Sequence, residues 1–432
     1  MKNSMILIAA ILGVLVLVSC QDKIEETYTV NSPVYMSYND LRSSFKVAEA
    51  EDIIQPGKIY FKDNFIFVNE YQKGIHVINN ALPSNPAVIK FIEIPGNIDI
   101  AIKGDKLYAD SYVDLLTIDI SNIQDIKVID RDTSVFPYFL PQIEVDGPVD
   151  FVDQDQGVVI GYKEMEKTEV IENTTYYNYY PAYMDFASES KIRATTNTAS
   201  YSGSVSSQGI GVGGSMARFA LYDDVLYLIH ESDVLVYSVE NNSNPTYVRE
   251  FYATWGLETL FPYEDKLFMG STSGMLVFSL ENPLSPSQIS EFSHMTACDP
   301  VVVDGDYAYV TLRGGNMCGA VSSQLDVIDI SNIQSPRLLK TYSLDEPYGL
   351  GIDDKTLFIC DGNSGLKIYD ATNPLKVSEN MIASYPEINA FDVIPLGAVL
   401  VMIGEDGLYQ YDYSDLSNIH ELSHIPIYSQ TE

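Results

Sequence analysis

The sequence predicts an all-β chain, folded as a single β-propeller of about eight four-stranded blades. Three observations support this. The chain repeats itself with a period of roughly forty residues, each repeat contains four short apolar strands separated by turns, and no segment beyond the N-terminal apolar run shows helical periodicity. A ring of seven blades is the alternative, if the unit around 149–160 is degenerate.

Each repeat carries a marker, an alternating strand that ends in a turn rich in Asn, Asp and Ser. The marker recurs as GIHVINN (74–80), DLLTIDISN (114–122), DVLVYSVENN (233–242), GMLVFSLENP (274–283), QLDVIDISN (324–332), GLKIYDATNP (365–374) and GLYQYDYSDLSN (407–418). Two apolar strands joined by a tight turn precede each marker, as in IDIAIKGDKLYAD (98–110), and a short fourth strand follows it. A similar pair at 149–160 fills the long interval between the second and third markers and makes the eighth unit.

The segments LDVIDISN and LLTIDISN resemble the LVIVD repeat of exported bacterial β-propellers, a Bacteroidetes-type lipoprotein family. The resemblance extends at repeat level over residues 45–427. It implies the propeller fold and the setting of a surface lipoprotein. It implies no defined activity, so no catalytic residue is carried over from it.

The N-terminus has the pattern of a lipoprotein signal peptide, with Lys2 followed by the apolar run Met5–Val18 and then Ser19-Cys20. We expect residues 1–19 to be removed and Cys20 to be lipidated, which would anchor the chain stably in a membrane. An ordinary secretory signal with an incidental Cys is the alternative. The acidic stretch after Cys20 resembles the surface-export signal of Bacteroidetes-type lipoproteins and favours the cell surface over a periplasm-facing position in the outer membrane. Residues 20–43 are then a tether and 44–428 the propeller.

Composition and motifs exclude several classes of function. The formal net charge is −35, which repels nucleic acid and anionic membranes. The five His residues are scattered, and no zinc spacing, serine-hydrolase elbow, phosphate-binding loop or dinucleotide fingerprint occurs. The sequence therefore indicates no catalytic residue, no metal and no cofactor, and it favours a protein that is not an enzyme.

Topology predicts which face of the propeller carries the long loops. With the first strand of each blade innermost, one face holds the loops leading into first strands and those joining second to third strands; we call it the upper face. We expect an insertion at about 164–215, rich in Tyr and then in Ser, Thr and Gly, and a shorter one at 313–324 to lie there. Cys298 and Cys318 fall in two loops of one blade on this face and predict a disulfide, whereas Cys360 in an apolar strand predicts a buried free thiol. Residues 44–50 are expected to add a latch strand beside 419–427.

Aligning the repeats places a set of polar residues around the upper mouth of the channel. The candidate ligand residues at these positions and in the nearby loops are Asp99, Asp150, Arg218, Trp255, Glu258, Asp299, Tyr348, Tyr177 and Tyr180. One interpretation is a funnel for a ligand or cation, with the aromatic rings as stacking platforms. The other, which we favour for the carboxylates, is that they accept hydrogen bonds from neighbouring blades.

Three functions remain open from the sequence. The first is a surface binding module for a glycan, a peptide or a partner protein. The second is a polysaccharide hydrolase or lyase at the channel mouth, which needs two carboxyl groups at catalytic separation. The third is a scaffold subunit of an outer-membrane complex.

Overall fold

The computed structural model describes residues 24–141, 143, 147–171, 210–293, 300–314 and 322–427. They fall into two compact units. The smaller unit comprises the described parts of Met1–Tyr38 and Phe139–Lys191, and the larger comprises those of Asn39–Tyr138 and Ile192–Glu432.

The described residues form one short helix, two 3₁₀ turns (Gln154–Gln156 and Val377–Glu379) and otherwise strands joined by turns and loops. In chain order the elements are β1 (Ile24–Met36), α1 (Tyr38–Ser43), β2 (Lys46–Ala48), β3 (Pro56–Lys62), β4 (Phe65–Glu70), β5 (Gly74–Asn79), β6 (Ala87–Glu93), β7 (Ile100–Lys103), β8 (Lys106–Ser111), β9 (Asp114–Asp119), β10 (Lys127–Asp132), β11 (Val158–Ile171), β12 (Val212–Gly213), β13 (Phe219–Tyr222), β14 (Val225–His230), β15 (Asp233–Ser238), β16 (Thr246–Tyr252), β17 (Leu257–Tyr263), β18 (Lys266–Ser271), β19 (Gly274–Ser279), β20 (Ser287–Ser293), β21 (Val301–Asp304), β22 (Tyr307–Leu312), β23 (Gln324–Asp329), β24 (Arg337–Ser343), β25 (Leu350–Asp353), β26 (Thr356–Cys360), β27 (Leu366–Asp370), β28 (Met381–Tyr385), β29 (Ala390–Pro395), β30 (Val399–Gly404), β31 (Gly407–Asp412) and β32 (His420–Pro426).

The larger unit is a β-propeller. Seven antiparallel sheets each contain four consecutive strands, namely β3–β6, β7–β10, β13–β16, β17–β20, β21–β24, β25–β28 and β29–β32, which we number blades 1 to 7. The first strands of successive blades contact one another around a ring, and β29 contacts β3 to close it. The predicted fold class and the innermost position of the first strand are therefore confirmed, and the number of blades is seven, as in the alternative, instead of eight.

The eighth unit predicted at 149–160 is not a blade. Its second half begins β11, which pairs along its length with β1, from Ile24 opposite Ile171 to Met36 opposite Val158, and the two strands form the sheet of the smaller unit. The reason for the difference is physical. Alternating apolar residues specify a strand, but they do not specify which strand it pairs with.

The hydrophobic core of the propeller lies between neighbouring blades. Strands near the axis are almost wholly buried, as in β7 and β8, whereas an outermost strand such as β16 is largely exposed. At the closure of the ring, Ile59 and Ile66 of blade 1 pack in one cluster with Ile394 and Val401 of blade 7. Burial of such side chains, at roughly 1.5–3 kcal/mol each, supplies most of the stabilisation between blades.

A reciprocal pair of side-chain hydrogen bonds reinforces this closure. The amide of Asn80 in blade 1 donates to Gln410 Oε1 in blade 7 at 2.9 Å, and Gln410 Nε2 donates back to Asn80 Oδ1 at 2.8 Å. Both side chains are buried. Among the described strands none is exchanged between the first and last blades, and the contacts that close the ring are made by side chains. The predicted latch is wrong in its partner, because β2 pairs with β6 at the outer edge of blade 1 instead of with β32.

A short axial segment, which we define as residues 210–217, runs along the inner strands. Ile210 bridges to Lys103 at the end of β7, β12 pairs antiparallel with β3, and Ser215 reaches Asp392 in β29. First strands run from the upper face to the opposite, lower face. The axial segment therefore enters at the lower mouth and rises to the upper mouth, where β13 begins.

Candidate functional site

The axial segment runs up from the lower mouth and fills the upper mouth of the ring. This segment makes hydrogen bonds to the inner strands of five blades. They are Gly211 N to Ile102 O (2.9 Å), Gly214 N to Ile59 O (3.2 Å), Ser215 N to Asp392 Oδ1 (3.1 Å), Leu350 N to Ser215 Oγ (2.7 Å) and Leu260 N to Ala217 O (2.9 Å). Ser215, Met216 and Ala217 are buried. The axis of the ring is thus occupied by the chain itself, and a ligand of the upper face meets a closed floor.

The position of the axial segment corrects one expectation from the sequence. The insertion at 164–215 was placed between a second and a third strand on the upper face. Instead it lies between blades 2 and 3, begins with most of β11, and returns to the ring at Ile210 on the lower side. The Tyr-rich part with Tyr177 and Tyr180 lies outside the described residues.

Asp99 connects three blades at the upper mouth through hydrogen bonds. Its carboxylate accepts from Lys58 Nζ of blade 1 at 2.6 Å, from the backbone N–H of Ile100 at 2.7 Å, and from the backbone N–H groups of Arg218 and Phe219 at the start of blade 3. Asp99 and Lys58 are only 2% and 3% exposed, and burial lowers the pKa of Lys58 although Asp99 opposes that shift. Asp99 therefore has the internal role that the sequence favoured for the carboxylates.

A second set of buried carboxylates was not predicted from the sequence. It comprises one carboxylate in each of three blades, at the upper end of the second strand. Each accepts hydrogen bonds from two backbone N–H groups in the loop leading into its own blade. These bonds are Glu70 with Ile54 (3.1 Å) and Gln55 (2.8 Å), Asp110 with Ile98 (2.8 Å) and Asp99 (3.0 Å), and Asp361 with Asp345 (3.1 Å) and Glu346 (2.7 Å). An acid directly after an apolar second strand was the available signal. These acids hold the loops of the upper face in place.

Two of these carboxyl groups have shifted pKa values. Burial raises the pKa of Asp110 to about 6, because desolvation outweighs the hydrogen bonds from Asp99 and Ile98. Burial acts in the same sense on Glu70, but hydrogen bonds from His76 and from two backbone N–H groups outweigh it and lower the pKa.

Arg218 occupies the mouth beside Asp110. Its backbone N–H is held by Asp99, and its side chain is half-buried. The guanidinium acts electrostatically on Asp110 and on Tyr71, and Tyr71 in turn acts on Tyr112. Within the part of the chain that the structure describes, this guanidinium makes no hydrogen bond and no ion pair. Tyr71 and Tyr112 lie in loops that join second to third strands, so both share the upper face with Arg218.

The loops beneath these rings are tightly fixed. Two backbone hydrogen bonds join the blade 1 loop to the blade 1–2 connection, with Gly96 N donating to Gln72 O at 2.8 Å and Gln72 N donating to Asn97 O at 2.9 Å. Gly96 has a φ of +76°, and a Cβ there would lie 2.4 Å from the ring of Tyr112. Only glycine fits, so the tyrosine lies flat on the connection and its position is determined by the backbone.

Trp255 stands in the connection between blades 3 and 4 and is 79% exposed. Tyr252, at the end of β16, is 67% exposed. Exposed apolar side chains mark contact sites where they form a contiguous patch. Trp255 is exposed, and its role as a stacking platform stays a prediction.

Tyr348 forms a second aromatic site on the same face. Arg313 stacks over its ring at 4.2 Å from the centroid, and Phe391 meets it edge-on at 5.2 Å. Its hydroxyl donates to Glu346 at 3.1 Å, and burial raises its pKa. Glu258 lies half-buried in β17 at the upper end of blade 4.

The remaining predicted residues lie elsewhere. Asp150 belongs to the smaller unit, where it accepts from Lys167 at 2.6 Å and from Ser32 at 3.3 Å. Asp299 and the proposed pair Cys298–Cys318 lie outside the described residues, as does Cys20. Cys360 is buried as a free thiol, as predicted.

Two features are absent from the described residues. No group of three or more His, Cys, Asp or Glu side chains suited to a metal ion occurs among them. None of the helices in the described ranges is long and apolar enough to cross a membrane. The carboxylates of the mouth accept hydrogen bonds from backbone N–H groups and from side chains such as Lys58 and Asn97.

Comparison with known proteins supports the fold. No protein-family model and no curated protein matches the chain. Among solved structures, a functionally unknown protein from Desulfotomaculum acetoxidans is 11% identical with a TM-score of 0.50, covering 84% of this chain and 95% of that chain. The designed protein Ika8 is 9% identical with a TM-score of 0.49, covering 88% and 92%. PorZ, a surface component of the type-IX secretion system of Porphyromonas gingivalis, is 10% identical with a TM-score of 0.47, covering 89% of this chain and 40% of its own. At such identity the likeness shows the fold alone.

Proposed function

We propose that this protein is a non-enzymatic binding module that holds a glycan on the upper face of its propeller. The observation that carries the proposal is the exposure of Trp255, at 79%, three residues after Tyr252, which is 67% exposed. Aromatic faces pack against the C–H faces of sugar rings, and such platforms need little ordering on binding. The fixed connections beneath the upper mouth supply the rigidity that a preformed binding face requires.

A glycan array with the full-length protein tests this proposal. We expect Trp255→Ala to weaken the array hits at least tenfold, which corresponds to about 1.4 kcal/mol. Phe151→Ala is the matched control, because Phe151 is 83% exposed but belongs to the smaller unit. Equal binding by the Trp255 variant and wild type, or equal loss in both variants, contradicts the assignment of the site. A stoichiometric membrane-protein partner with an empty array would favour the scaffold function instead.

We further propose that the protein is anchored through Cys20 and displayed at the cell surface, as its N-terminal sequence and the resemblance to LVIVD-repeat lipoproteins predict. Mass spectrometry of the mature N-terminal peptide should show a diacylglyceryl cysteine. Cys20→Ala should release the protein from the membrane fraction, whereas Cys360→Ala should not. An unmodified N-terminus elsewhere in the chain would exclude the anchor. Labelling of intact cells with an impermeant reagent separates the outer surface from the periplasm.

A further inference from the structure

Arg218 is the starting point for a more specific ligand assignment. Wherever a contact is described, the carboxylates at the upper mouth are engaged by backbone or side-chain groups, yet the neighbouring guanidinium makes no hydrogen bond or ion pair within the described residues. Its position is set by its own backbone, through the bond to Asp99, and not by its side chain. Arg218 is half-buried at the upper mouth, above the axial segment that closes the channel. Its guanidinium is therefore available to a ligand.

The other side chains of the upper face indicate which chemical groups the ligand of Arg218 has. Guanidinium binds carboxylates through charge-assisted hydrogen bonds. Tyr71 and Tyr112 add two half-buried rings, and Gln72 adds a side-chain amide within 3.3 Å of the Tyr71 hydroxyl. Rings, hydroxyls and an amide suit the body of a sugar, whereas the arginine suits an acidic substituent on it.

The net charge limits how acidic the ligand is. A surface with a formal charge of −35 repels a dense polyanion, and a phosphate group would carry nearly two negative charges beside Asp99 and Asp110. A single carboxylate meets the least repulsion. We infer that the Arg218 site binds an isolated uronic acid residue of an otherwise neutral glycan, with the guanidinium on its carboxylate and Tyr71 and Tyr112 against its ring. This inference rests on the proposed glycan-binding function and names its ligand class.

The protonation of Asp110 should make the affinity of this site for its ligand depend on pH. The charged and titratable groups that face it are Lys58, Tyr71, Asp99 and Arg218. Because the pKa of Asp110 lies at about 6, the carboxyl is ionised at pH 7.5 and competes with a ligand anion for the field of Arg218. At pH 5 it is protonated, whereas a uronate, with a pKa like that of other α-substituted carboxylic acids, about 3.5, stays ionised. Binding should therefore strengthen as pH falls.

The experiment is calorimetric titration of the full-length protein with xylotriose bearing one glucuronic acid branch, and with plain xylotriose as the neutral control. We expect the acidic sugar to bind at least tenfold more tightly than the neutral one, Arg218→Gln to abolish that difference, and Arg218→Lys to retain part of it. Affinity for the acidic sugar should rise at least threefold from pH 7.5 to pH 5, and Asp110→Asn should remove this dependence. Thermal melting of each variant reports whether the fold is retained.

Several outcomes would overturn the inference. They are equal binding of both sugars, undiminished binding by Arg218→Gln, or tighter Arg218-dependent binding of a short peptide through its C-terminal carboxylate. If array hits that depend on Trp255 persist while the acidic sugar shows no preference, the uronate assignment fails and the glycan-binding function stands. If neither sugar nor array gives binding, the proposed function fails with it.

Discussion

The axial segment offers the most demanding test of the structure. Gly214 lies so close to blade 7 that a Cβ added there would be 1.8 Å from Asp392 Oδ2 and 2.6 Å from its Cγ. Gly214→Ala must therefore displace a buried carboxylate whose Oδ1 accepts from Ser215 N at 3.1 Å. Overpacking a core costs about 1–3 kcal/mol, and losing a hydrogen bond to a charged group costs about 1.5–3 kcal/mol. We expect a loss of about 2.5–6 kcal/mol in the free energy of unfolding.

Thermal unfolding followed by circular dichroism measures this loss. For a domain of this size the expected decrease in Tm is on the order of 4–10 °C. A series of glycines gives internal controls, because a Cβ at Gly211 would lie 2.3 Å from the Tyr60 ring, one at Gly213 would lie 3.0 Å from it, and one at Gly161 would meet nothing within 4 Å. The alanine variants should follow that order of crowding, with Gly161→Ala near wild type. A Gly214→Ala protein that melts with the wild type would refute the threading of this segment through the ring.

Further predictions concern ring closure, pH and thiol reactivity. Asn80→Ala and Gln410→Ala should each lower the free energy of unfolding by about 1–3 kcal/mol, and a double-mutant cycle in urea should show coupling of about 1 kcal/mol, whereas additivity would argue against the reciprocal bond. Because the pKa of Asp110 is raised to about 6, the folded protein binds a proton that the unfolded chain has lost, so stability present below pH 4 should fall by up to about 3 kcal/mol as pH rises through 6. Asp110→Asn should remove this pH dependence, and an unchanged profile would contradict the assignment. Burial raises the pKa of Cys360 well above its usual range, so a thiol reagent should label it only when denaturant is added, and rapid labelling of the native protein would contradict its position.

The structure also changes how the insertion should be tested. Deleting 164–215 would remove most of β11 and nearly all of the axial segment, so a loss of binding would report on folding. Replacing 173–208 by a flexible linker retains both elements. Binding that survives this replacement would place the ligand on the upper face of the ring without help from the Tyr-rich segment.

Much of the ring was predictable from its repeats. Each marker such as LDVIDISN (325–332) became a third strand and its turn, because alternating apolar residues and Asx-rich turns act within a few residues of each other. The buried thiol of Cys360 followed from its apolar strand, and the internal role of Asp99 followed from the general cost of leaving a buried carboxylate unpaired. The resemblance to LVIVD-repeat proteins and the lipid anchor stay predictions.

The count of blades and the contents of the axis were not predictable in the same way. The pattern at 149–160 resembles a pair of blade strands. Its last residues instead begin β11, which pairs with β1, more than a hundred residues earlier in the chain. The sequence placed the glycines of 211–214 at the end of an insertion rich in Ser, Thr and Gly, but each lies where a neighbour leaves little or no space for a side chain.

The sequence by itself determined the strand pattern, the propeller class and the acidic character of the chain, because these depend on local periodicity and on composition. Only the tertiary structure decided that the ring has seven blades, that residues 210–217 fill its axis, and that Arg218 is left without an ion pair among the described residues while Asp99 and Asp110 are engaged. These features depend on contacts between residues far apart in the chain, and such pairing leaves no local signal in the sequence.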